Sequence, residues 1–386
     1  MDKETLMKQP VDIKYGLSVL YKYTNQCNLH CSYCYADAAK NNLGSISMDQ
    51  LRSIYQWLAD YCAMTGRKEF KWTFHGGEPL LCGLDTLKAA LALQEEIFTP
   101  RGIKVGNAIQ TNLTLITNEY VPVLKAHFDS SIGVSLDYGT GARLYADGRD
   151  SFDDVAAKVR MLKEEGISCS IISLLNRRNV NKISEIYHFF KELGTDFSLC
   201  RVFPAELKDN SGGADALSDK EYADAIIELF DIWTADPEPA IRVKNLEEFS
   251  VSLLTGIPVL CCNVKNCLDC YLCIGPNGDI LPCTRFNDAK FLLGNVFNEG
   301  PADFLAHRRS DPIGKNYPPP ARCSQCDYER ICYGGCLHER TLTGESFMCN
   351  SMKRIFKHIE SYLTSQGLPL YESEVESVDV TMAEFV

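Results

Sequence analysis

Short apolar runs alternate with longer amphipathic stretches along the first half of the chain. The runs are rich in β-branched and aromatic residues and predict six strands: LSVLYKYT, FKWTF, IKVGNAIQT, SSIGVSLD, ISCSIISLL and DFSLCRVF. Strands that alternate with helices indicate parallel βαβ units, since parallel neighbours need a crossover connection. Six units are too few for a closed eight-stranded barrel. We therefore expect an α/β fold, a partial (β/α)6 barrel with its site beyond the carboxyl ends of the strands.

The helical stretches carry recognisable start signals. Ser47 with Gln50, and Ser218 with Glu221, each form a capping-box pattern before an amphipathic run. Further along, the chain is rich in Gly, Pro and Asn and has little periodicity, until a last helix expected at 352–366. The pattern predicts five segments: an N-terminal extension 1–15, the partial barrel 16–235, a linker 236–258, a cysteine-rich domain 259–352, and a C-terminal helix with an acidic tail 353–386.

Composition narrows the classes of protein that this chain can be. The chain has 386 residues, more than a single hydrophobic core usually supports, and a net charge of −12. That charge argues against nucleic acid, which is bound by clustered Lys and Arg. The N-terminus lacks the apolar core of a signal peptide, and no apolar run is long enough for a membrane helix. We expect a cytoplasmic protein without membrane contact.

Cysteine is the anomaly in this composition. The chain has 18 cysteines, and eleven of them fall between Cys261 and Cys349. In a reducing compartment such density indicates metal binding or catalysis rather than disulfides. Four others, Cys62, Cys82, Cys169 and Cys200, lie in helix, strand or turn patterns, where small core residues are expected.

The first cysteine group directly follows the first predicted strand. In CNLHCSYC, three cysteines are separated by three and two residues, which is one ligand short of a closed four-ligand metal site. An iron–sulfur cubane normally takes one thiolate per iron, so three thiolates would leave one iron open to a substrate or cosubstrate. A zinc site and plain core cysteines remain the alternatives.

This loop resembles the signature of the radical S-adenosylmethionine (radical SAM) enzymes. The resemblance implies that Cys27, Cys31 and Cys34 hold a 4Fe–4S cluster whose open iron is chelated by SAM. In that family, reductive cleavage of SAM yields a 5′-deoxyadenosyl radical that abstracts a hydrogen atom. The aromatic Tyr33, just before the last cysteine, is a candidate contact for SAM.

Three further stretches resemble motifs of the same family at the ends of later strands. HGGEP looks like the GGE motif, IQTNLTLI like QTNGTLI, and VSLD like the start of SLDG. Leu113 and Tyr138 stand where the family has glycine. The implied SAM-binding candidates are Gly76, Gly77, Glu78, Thr111, Asn112, Ser135 and, on the fifth strand, Ser173.

A second cysteine pattern occupies the C-terminal region. CSQCDYERICYGGC, preceded by GDILPC and followed by a separate Cys349, could by itself be a zinc ribbon. Its order resembles the SPASM domain that follows radical SAM barrels and usually holds two auxiliary 4Fe–4S clusters. The resemblance implies a distal set of Cys323, Cys326, Cys332 and Cys349. The proximal set would join Cys283 and Cys336 to two of five upstream cysteines: Cys261, Cys262, Cys267, Cys270 and Cys273.

Distance to Gly278 favours Cys262 and Cys267 as the upstream pair, with Cys261 close behind. The resemblance thus implies three 4Fe–4S clusters and SAM as cofactors. It also implies an external electron donor of the flavodoxin or ferredoxin type.

The resemblance also bears on the reaction. Radical SAM–SPASM enzymes most often modify a ribosomally made peptide or small protein, by crosslinking or by oxidising a side chain. Sulfatase-maturing relatives carry an Asp after the cysteine that corresponds to Cys283, whereas Thr284 stands here, which argues against formylglycine formation. The residues before the first strand are too few for a leader-recognition domain, so a separate protein is a further candidate partner.

The alternatives are modification of a small molecule, such as a tetrapyrrole or a sugar alcohol, and a non-enzymatic iron–sulfur electron-transfer or scaffold protein. The sequence assigns no catalytic base.

Overall fold

The computed structural model describes residues 16–34, 44–128, 131–202, 215–264, 267–286, 288–308 and 312–371. The N-terminal extension and the acidic tail predicted from the sequence lie outside these ranges. The strands are β1 Leu17–Lys22, β2 Glu69–His75, β3 Lys104–Thr111, β4 Ile132–Ser135, β5 Cys169–Leu175, β6 Asp196–Arg201, β7 Tyr271–Ile274, β8 Asp279–Leu281 and β9 Gly294–Asn295.

Helices connect these strands and cover one face of the sheet. Those of the barrel and its extension are α1 Met48–Thr65, α2 Leu84–Phe98, α3 Val121–His127, α4 Phe152–Glu164, α5 Ile183–Leu193, α6 Asp219–Ala235 and α7 Lys244–Thr255. Those of the cysteine-rich region are α8 Cys267–Cys270, α9 Pro301–Arg308, α10 Pro312–Asn316, α11 Glu329–Cys332, α12 Leu337–Thr343 and α13 Cys349–Ser365. In the ranges described, no helix is long and apolar enough to cross a membrane.

All nine strands belong to one sheet, in the order β6-β5-β4-β3-β2-β1-β7-β8-β9. Neighbours from β6 to β1 are parallel, as the alternation of strands and helices predicts, and β7 joins β1 in parallel on the other side. β8 and β9 complete an antiparallel extension. β1 is therefore the strand shared by the six-stranded partial barrel and the cysteine-rich region.

Side-chain alternation gives the sheet an outer face toward the helices and an inner face toward the barrel interior. On β1, Val19 and Tyr21 belong to the main core, where the Tyr21 ring lies 4.6 Å from that of Trp72. Leu20, between them, instead joins a separate inner cluster with Cys273 of β7. The same period of two separates outer from inner positions on the other strands.

The segment 236–258 was expected to be a linker, and this expectation is wrong for most of its length. Residues 244–255 form α7, which buries Leu246 and Phe249 in the main core and packs against β6 and α13. Its apolar residues occur at helical spacing, but the preceding TADPEP stretch obscures the pattern. The last helix begins at Cys349, three residues earlier than predicted, and packs on α6 of the barrel.

Candidate active site and cysteine clusters

The first cysteine loop lies at the carboxyl end of β1, as predicted, and is held by backbone hydrogen bonds. His30 N donates to Leu144 O at 2.7 Å and Ser32 N to Ala142 O at 3.0 Å, so the loop pairs with the segment after β4. Burial raises the pKa of Cys27 to about 11, and the neighbouring Cys31 and Cys34 add to this effect. The three thiols therefore form one group, in which deprotonation of one opposes deprotonation of the next.

Two glycines after β2 pack directly against this loop. Gly77 N donates to Thr24 O at 2.9 Å and Glu78 N to Gln26 O at 2.8 Å. A Cβ atom on Gly77 would overlap the Gln26 carbonyl, and one on Gly76 would overlap the Thr24 carbonyl. Gly76 also has a φ of 137°, which side chains rarely adopt. Glycine is therefore required at positions 76 and 77, because the backbone that leads into Cys27 leaves no room for a side chain.

Glu78 is completely buried, and both of its carboxylate oxygens are occupied by the protein. Oε1 accepts from Leu80 N at 2.9 Å and from Thr111 Oγ1 at 2.7 Å, and Oε2 accepts from Asn112 N at 2.7 Å. Burial raises the pKa of Glu78, although these donors oppose the shift. Glu78 and Thr111 therefore connect the ends of β2 and β3, and their geometry supports a structural role more directly than contact with SAM.

Asn112 extends this network to the cysteine loop. Its Nδ2 donates to Asn28 Oδ1 at 2.9 Å and lies 3.6 Å from Cys27 Sγ, while its Oδ1 accepts from Thr114 N at 3.0 Å. Leu113, in place of the family's glycine, still adopts the left-handed conformation, with a φ of 63°. Its fully buried side chain offsets the cost of about 1–2 kcal/mol for that conformation. The backbone at this position thus has the left-handed conformation typical of glycine, although the residue is leucine.

Tyr33 is at the centre of a buried polar network. Its hydroxyl donates to Asp137 Oδ2 and accepts from Arg143 Nη1 at 2.6 Å, and Arg143 lies 4.0 Å from Asp137. Leu174 N also donates to Asp137, at 2.9 Å. Burial raises the pKa of Tyr33, an effect that Arg143 opposes. The network ties the cysteine loop to the ends of β4 and β5.

The two serine candidates lie on opposite faces of the sheet. Ser135 is on the inner face, where its Oγ accepts from Gln110 Nε2 at 3.1 Å. Ser173 shares the outer face with Ile171 and Leu175, which belong to the main core, and its hydroxyl has no partner among the described residues. Contact between Ser173 and a ligand in the barrel is therefore not supported, because alternation directs it toward the helices.

The proximal cysteines gather below β7 and β8. Burial raises the pKa of Cys267 well above its usual value, and the thiols of Cys283, Cys336 and Cys261 add to this effect. After burial, the Cys336 thiol has the largest effect in raising the pKa of both Cys283 and Cys261. Cys270 and Cys273 are instead buried in the inner apolar cluster with Leu20.

This grouping bears on the choice between Cys261 and Cys262. The thiol of Cys261 adds to the raised pKa of Cys267. Burial and the thiols of Cys261 and Cys336 raise the pKa of Cys262, whose thiol donates to Asn263 Oδ1 at 3.4 Å and lines the distal cavity beside Cys336. We propose Cys261, rather than Cys262, as the partner of Cys267, because Cys261 is the one that affects it.

The distal cysteines line one cavity, as the predicted set requires. Cys323, Cys326, Cys332 and Cys349 surround it together with apolar side chains of Met348, Met352 and Phe356. Gly335 N donates to the Cys332 carbonyl oxygen at 2.9 Å, and the backbone of Gly334 and Gly335 lowers the pKa of the Cys332 thiol against the effect of burial. Both glycines have positive φ angles, which favour glycine at these two positions of the YGG turn.

The donor sets fit cubane clusters better than single metal ions. A zinc ion with Zn–S bonds of about 2.3 Å draws its ligands almost into contact with one another. Among the described residues, no three His, Cys, Asp or Glu side chains come together closely enough to hold one ion. The four distal thiols instead line one cavity, an arrangement that suits a cubane with one thiolate for each iron.

Sequence analysis missed two residues of this site, Arg143 and Asp137. Arg143 lies in an irregular segment after β4 with no motif of its own. Asp137 ends the VSLD stretch and could have been chosen, because a carboxylate at a strand end is a common ligand position. The loop pairing that buries both residues is not visible in the sequence.

Comparison with known proteins agrees with the fold and the first cysteine loop. Residues 21–190 match the Radical SAM superfamily. This match covers most of the partial barrel, including the first cysteine loop, and agrees with the resemblance found in the sequence.

Relatives extend this similarity into the cysteine-rich region. The chain is 26% identical to a serine-type anaerobic sulfatase-maturating enzyme of Bacteroides thetaiotaomicron, over 87% of each chain. It is 25% identical to a cysteine-type anaerobic sulfatase-maturating enzyme of Clostridium novyi, covering 90% of this chain and 96% of that one.

Solved structures support the same fold. The structure of anSMEcpe with bound AdoMet superposes with a TM-score of 0.80 at 23% identity, covering 91% of this chain and 98% of that chain. SuiB of Streptococcus suis, bound to its precursor peptide SuiA, gives a TM-score of 0.62 at 18% identity, covering 88% and 76% of the two chains. The predicted fold, a partial barrel followed by a cysteine-rich C-terminal region, is thereby confirmed.

Proposed function

We propose that this chain is a maturase that oxidatively modifies a ribosomally made peptide or small protein, with a crosslink as the favoured product. One observation carries the proposal. β1 pairs with β2, which leads into the GGE motif, and with β7, which adjoins the proximal cysteines. A hydrogen-abstracting loop and a potential electron-accepting site thus share one strand. The similarity to sulfatase-maturating enzymes, and to a structure that contains a precursor peptide, supports a peptide substrate.

In this proposal, Cys27, Cys31 and Cys34 hold a 4Fe–4S cluster at which SAM binds. When bound, the cluster and SAM would supply the radical chemistry that removes a hydrogen atom from the substrate. The chain's own residues build the site: Asn112 positions the start of the loop, and Tyr33 fixes its end through a buried network. Ser135 presents a hydroxyl on the inner face, where SAM and substrate would meet.

The remaining thiols would hold two auxiliary clusters. We assign Cys261, Cys267, Cys283 and Cys336 to the proximal cluster and Cys323, Cys326, Cys332 and Cys349 to the distal cluster. A crosslink removes two hydrogens from the peptide, one as an atom and the other as a proton whose electron must be accepted. Clusters within the same sheet could accept it, and a flavodoxin or ferredoxin would supply the electron that starts each turnover. A cytoplasmic location and a separate leader-recognition protein fit this proposal.

Metal analysis tests the cofactor assignment. Anaerobic reconstitution should give about 12 irons per chain, because each of three cubanes contains four. Replacing Cys27, Cys31 and Cys34 together with Ala should remove about one third of the iron and abolish formation of 5′-deoxyadenosine. About four irons, with zinc in the other sites, would refute the auxiliary clusters.

The substrate is tested with peptides encoded beside this chain. Reduced enzyme and SAM should give a product lighter by the mass of two hydrogens for each crosslink, with resistance to cleavage between the joined residues. A Cys349→Ala variant should still cleave SAM but lose most of the product. If no peptide changes mass while a small molecule is oxidised with SAM turnover, the peptide proposal is wrong.

Formylglycine formation is a second candidate, favoured by the length over which the sulfatase-maturating relatives match. Thr284 stands against it, because it cannot act as a carboxylate base after Cys283. An aldehyde-specific hydrazide probe separates the two reactions, since formylglycine reacts with it and a crosslinked peptide does not.

A further inference from the structure

Lys22 is the last residue of β1 and lies on the inner face of the sheet. Its Cα is paired with that of His75, and Leu20, two residues earlier, is paired with Cys273. Leu20 and Cys273 both belong to the inner apolar cluster, while Tyr21 points outward into the main core. Alternation therefore directs the Lys22 side chain into the barrel, five positions before Cys27.

The Lys22 side chain is buried without a counter-ion. Its exposure is only 7%, and no hydrogen bond or ion pair joins its side chain to another described residue. A lysine ammonium has three donors and no acceptor, so burial without a partner is costly. The charge of Lys22 lowers the pKa of His75 and opposes the raised pKa of Cys273, so both groups lie within its electrostatic reach. Burial lowers the pKa of His75 to about 4, so its ring is neutral near pH 7 and offers no balancing charge.

Carboxylates elsewhere in the barrel are too distant or already engaged. On the inner faces of β2 and β6, Glu69 and Asp196 are the first residues of their strands, at the opposite end of the barrel from Lys22. At the near end, both carboxylate oxygens of Glu78 accept hydrogen bonds from the protein, and Asp137 accepts one from the Tyr33 hydroxyl. Glu248, which acts on Tyr271 of the inner cluster, has its pKa raised to about 8 by burial and is therefore mostly neutral near pH 7. In the described part of the chain, no carboxylate forms an ion pair with Lys22.

The interior is open enough to admit a ligand. Ile172, on the inner face of β5, is 40% exposed although it lies in the middle of a strand. Thr73, on the inner face of β2, has a buried hydroxyl with no partner among the described residues. The inner face thus combines the exposed apolar side chain of Ile172 with two donors, Thr73 and Lys22, that have no acceptor among the described residues. Binding pockets have this composition: an apolar lining with a few polar groups that orient the ligand.

We propose that Lys22 binds a carboxylate of the peptide substrate inside the barrel, and so selects substrates with an acidic residue close to the site of modification. This inference rests on the proposed function, because it requires a peptide in the barrel. The carboxylate of SAM has the same chemistry, so the two sources must be separated by experiment.

Selection from a peptide library tests the inference without assuming a substrate. The probe is a randomised library of octapeptides with acetylated N-termini and amidated C-termini, so that side chains carry the only carboxylates. Reconstituted enzyme with SAM is equilibrated with the library, and retained peptides are identified by mass spectrometry. Wild-type enzyme should enrich Asp and Glu over Asn and Gln about 10-fold or more, as expected for pairing with a buried charge.

Three variants complete the test. Lys22→Met keeps the length of the side chain and should abolish the acidic enrichment, while Lys22→Arg should retain it. Lys88→Met removes an exposed lysine of α2 and should leave it unchanged. Circular dichroism and iron content establish that each variant is folded and loaded.

The outcomes separate this inference from the proposed function. Retention of peptides by wild-type enzyme without acidic enrichment, or unchanged enrichment by Lys22→Met, overturns the role of Lys22 alone. No retention of any peptide counts against the peptide substrate and against this inference with it. Equilibrium dialysis with labelled SAM should give equal affinity for wild type and Lys22→Met. A matching loss of SAM affinity would assign Lys22 to the cosubstrate and overturn the proposal.

Discussion

Replacing Glu78 with Gln should destabilise the barrel, although the side chain keeps its size. The carboxylate accepts three hydrogen bonds from Leu80 N, Thr111 Oγ1 and Asn112 N, whereas an amide has one oxygen. Whichever way the amide is turned, at least one buried backbone N–H faces an NH2 group and loses its acceptor. The perturbation therefore acts on hydrogen bonding and hardly on packing.

The size of the effect follows from this count. One buried, unsatisfied donor costs about 1–3 kcal/mol, and hydrogen bonds to a charged acceptor contribute about 1.5–3 kcal/mol each, part of which is lost. We expect the free energy of unfolding to fall by about 2–4 kcal/mol. Glu96→Gln is the matched control, because Glu96 is 59% exposed and pairs only with Arg52 on the surface. Glu96→Gln should lower the free energy of unfolding by less than about 1 kcal/mol.

Urea unfolding of the cluster-free protein, followed by far-UV circular dichroism and tryptophan fluorescence, measures both variants. The Glu78→Gln midpoint should decrease with the m-value unchanged, because the exposed surface is the same. The variant should also bind less iron at the first cysteine loop, since Asn112 links Glu78 to Cys27. If Glu78→Gln unfolds within about 1 kcal/mol of Glu96→Gln, the buried carboxylate is not the structural acceptor described above.

Three further outcomes are expected. Cys261→Ser should lower the reconstituted iron by about four per chain, whereas Cys262→Ser should leave it unchanged, and the reverse result would restore the choice made from spacing. Tyr33→Phe should destabilise the protein by about 1–3 kcal/mol in urea unfolding, because two buried polar partners lose a shared hydroxyl, and an unchanged midpoint would contradict this. His75 has a folded pKa of about 4, below its unfolded value, so stability should fall as the pH decreases from about 6.5 toward 4. His75→Asn keeps an acceptor for the adjacent backbone N–H. It should make the free energy of unfolding depend less on pH in this range, by the equivalent of about one proton taken up on unfolding. An unchanged pH dependence would show that His75 does not titrate there.

The periodic parts of this fold could be predicted because their causes are local. Both capping boxes form as predicted, with Ser47 accepting from Gln50 N and Ser218 from Glu221 N at 3.2 Å. The six parallel strands follow from their alternation with helices. The helix at 244–255 was missed because its preceding segment is rich in Pro and Asp, and only tertiary packing shows that its apolar face is buried.

The site was predicted less completely, for a physical reason. A motif shows which residue types are present but not where their hydrogen bonds go. Glu78 and Asn112 were expected to contact SAM, yet the structure engages their polar groups with the cysteine loop and neighbouring strands. The choice between Cys261 and Cys262 depends on the orientation of a single short turn, which spacing along the chain does not encode.

The shared position of β1 has a consequence for dividing this protein. If the chain were cut after α6, β1 would lose β7 and become an edge, with the N–H and C=O groups of four paired positions exposed. Such an edge is a template for pairing with other chains, and Leu20 beside it would lose its apolar cover. In the intact chain the opposite side of the extension ends in β9, only two residues long, which leaves little edge to pair. Expression of the barrel alone should therefore yield aggregates, and mechanistic work on SAM cleavage requires the whole chain.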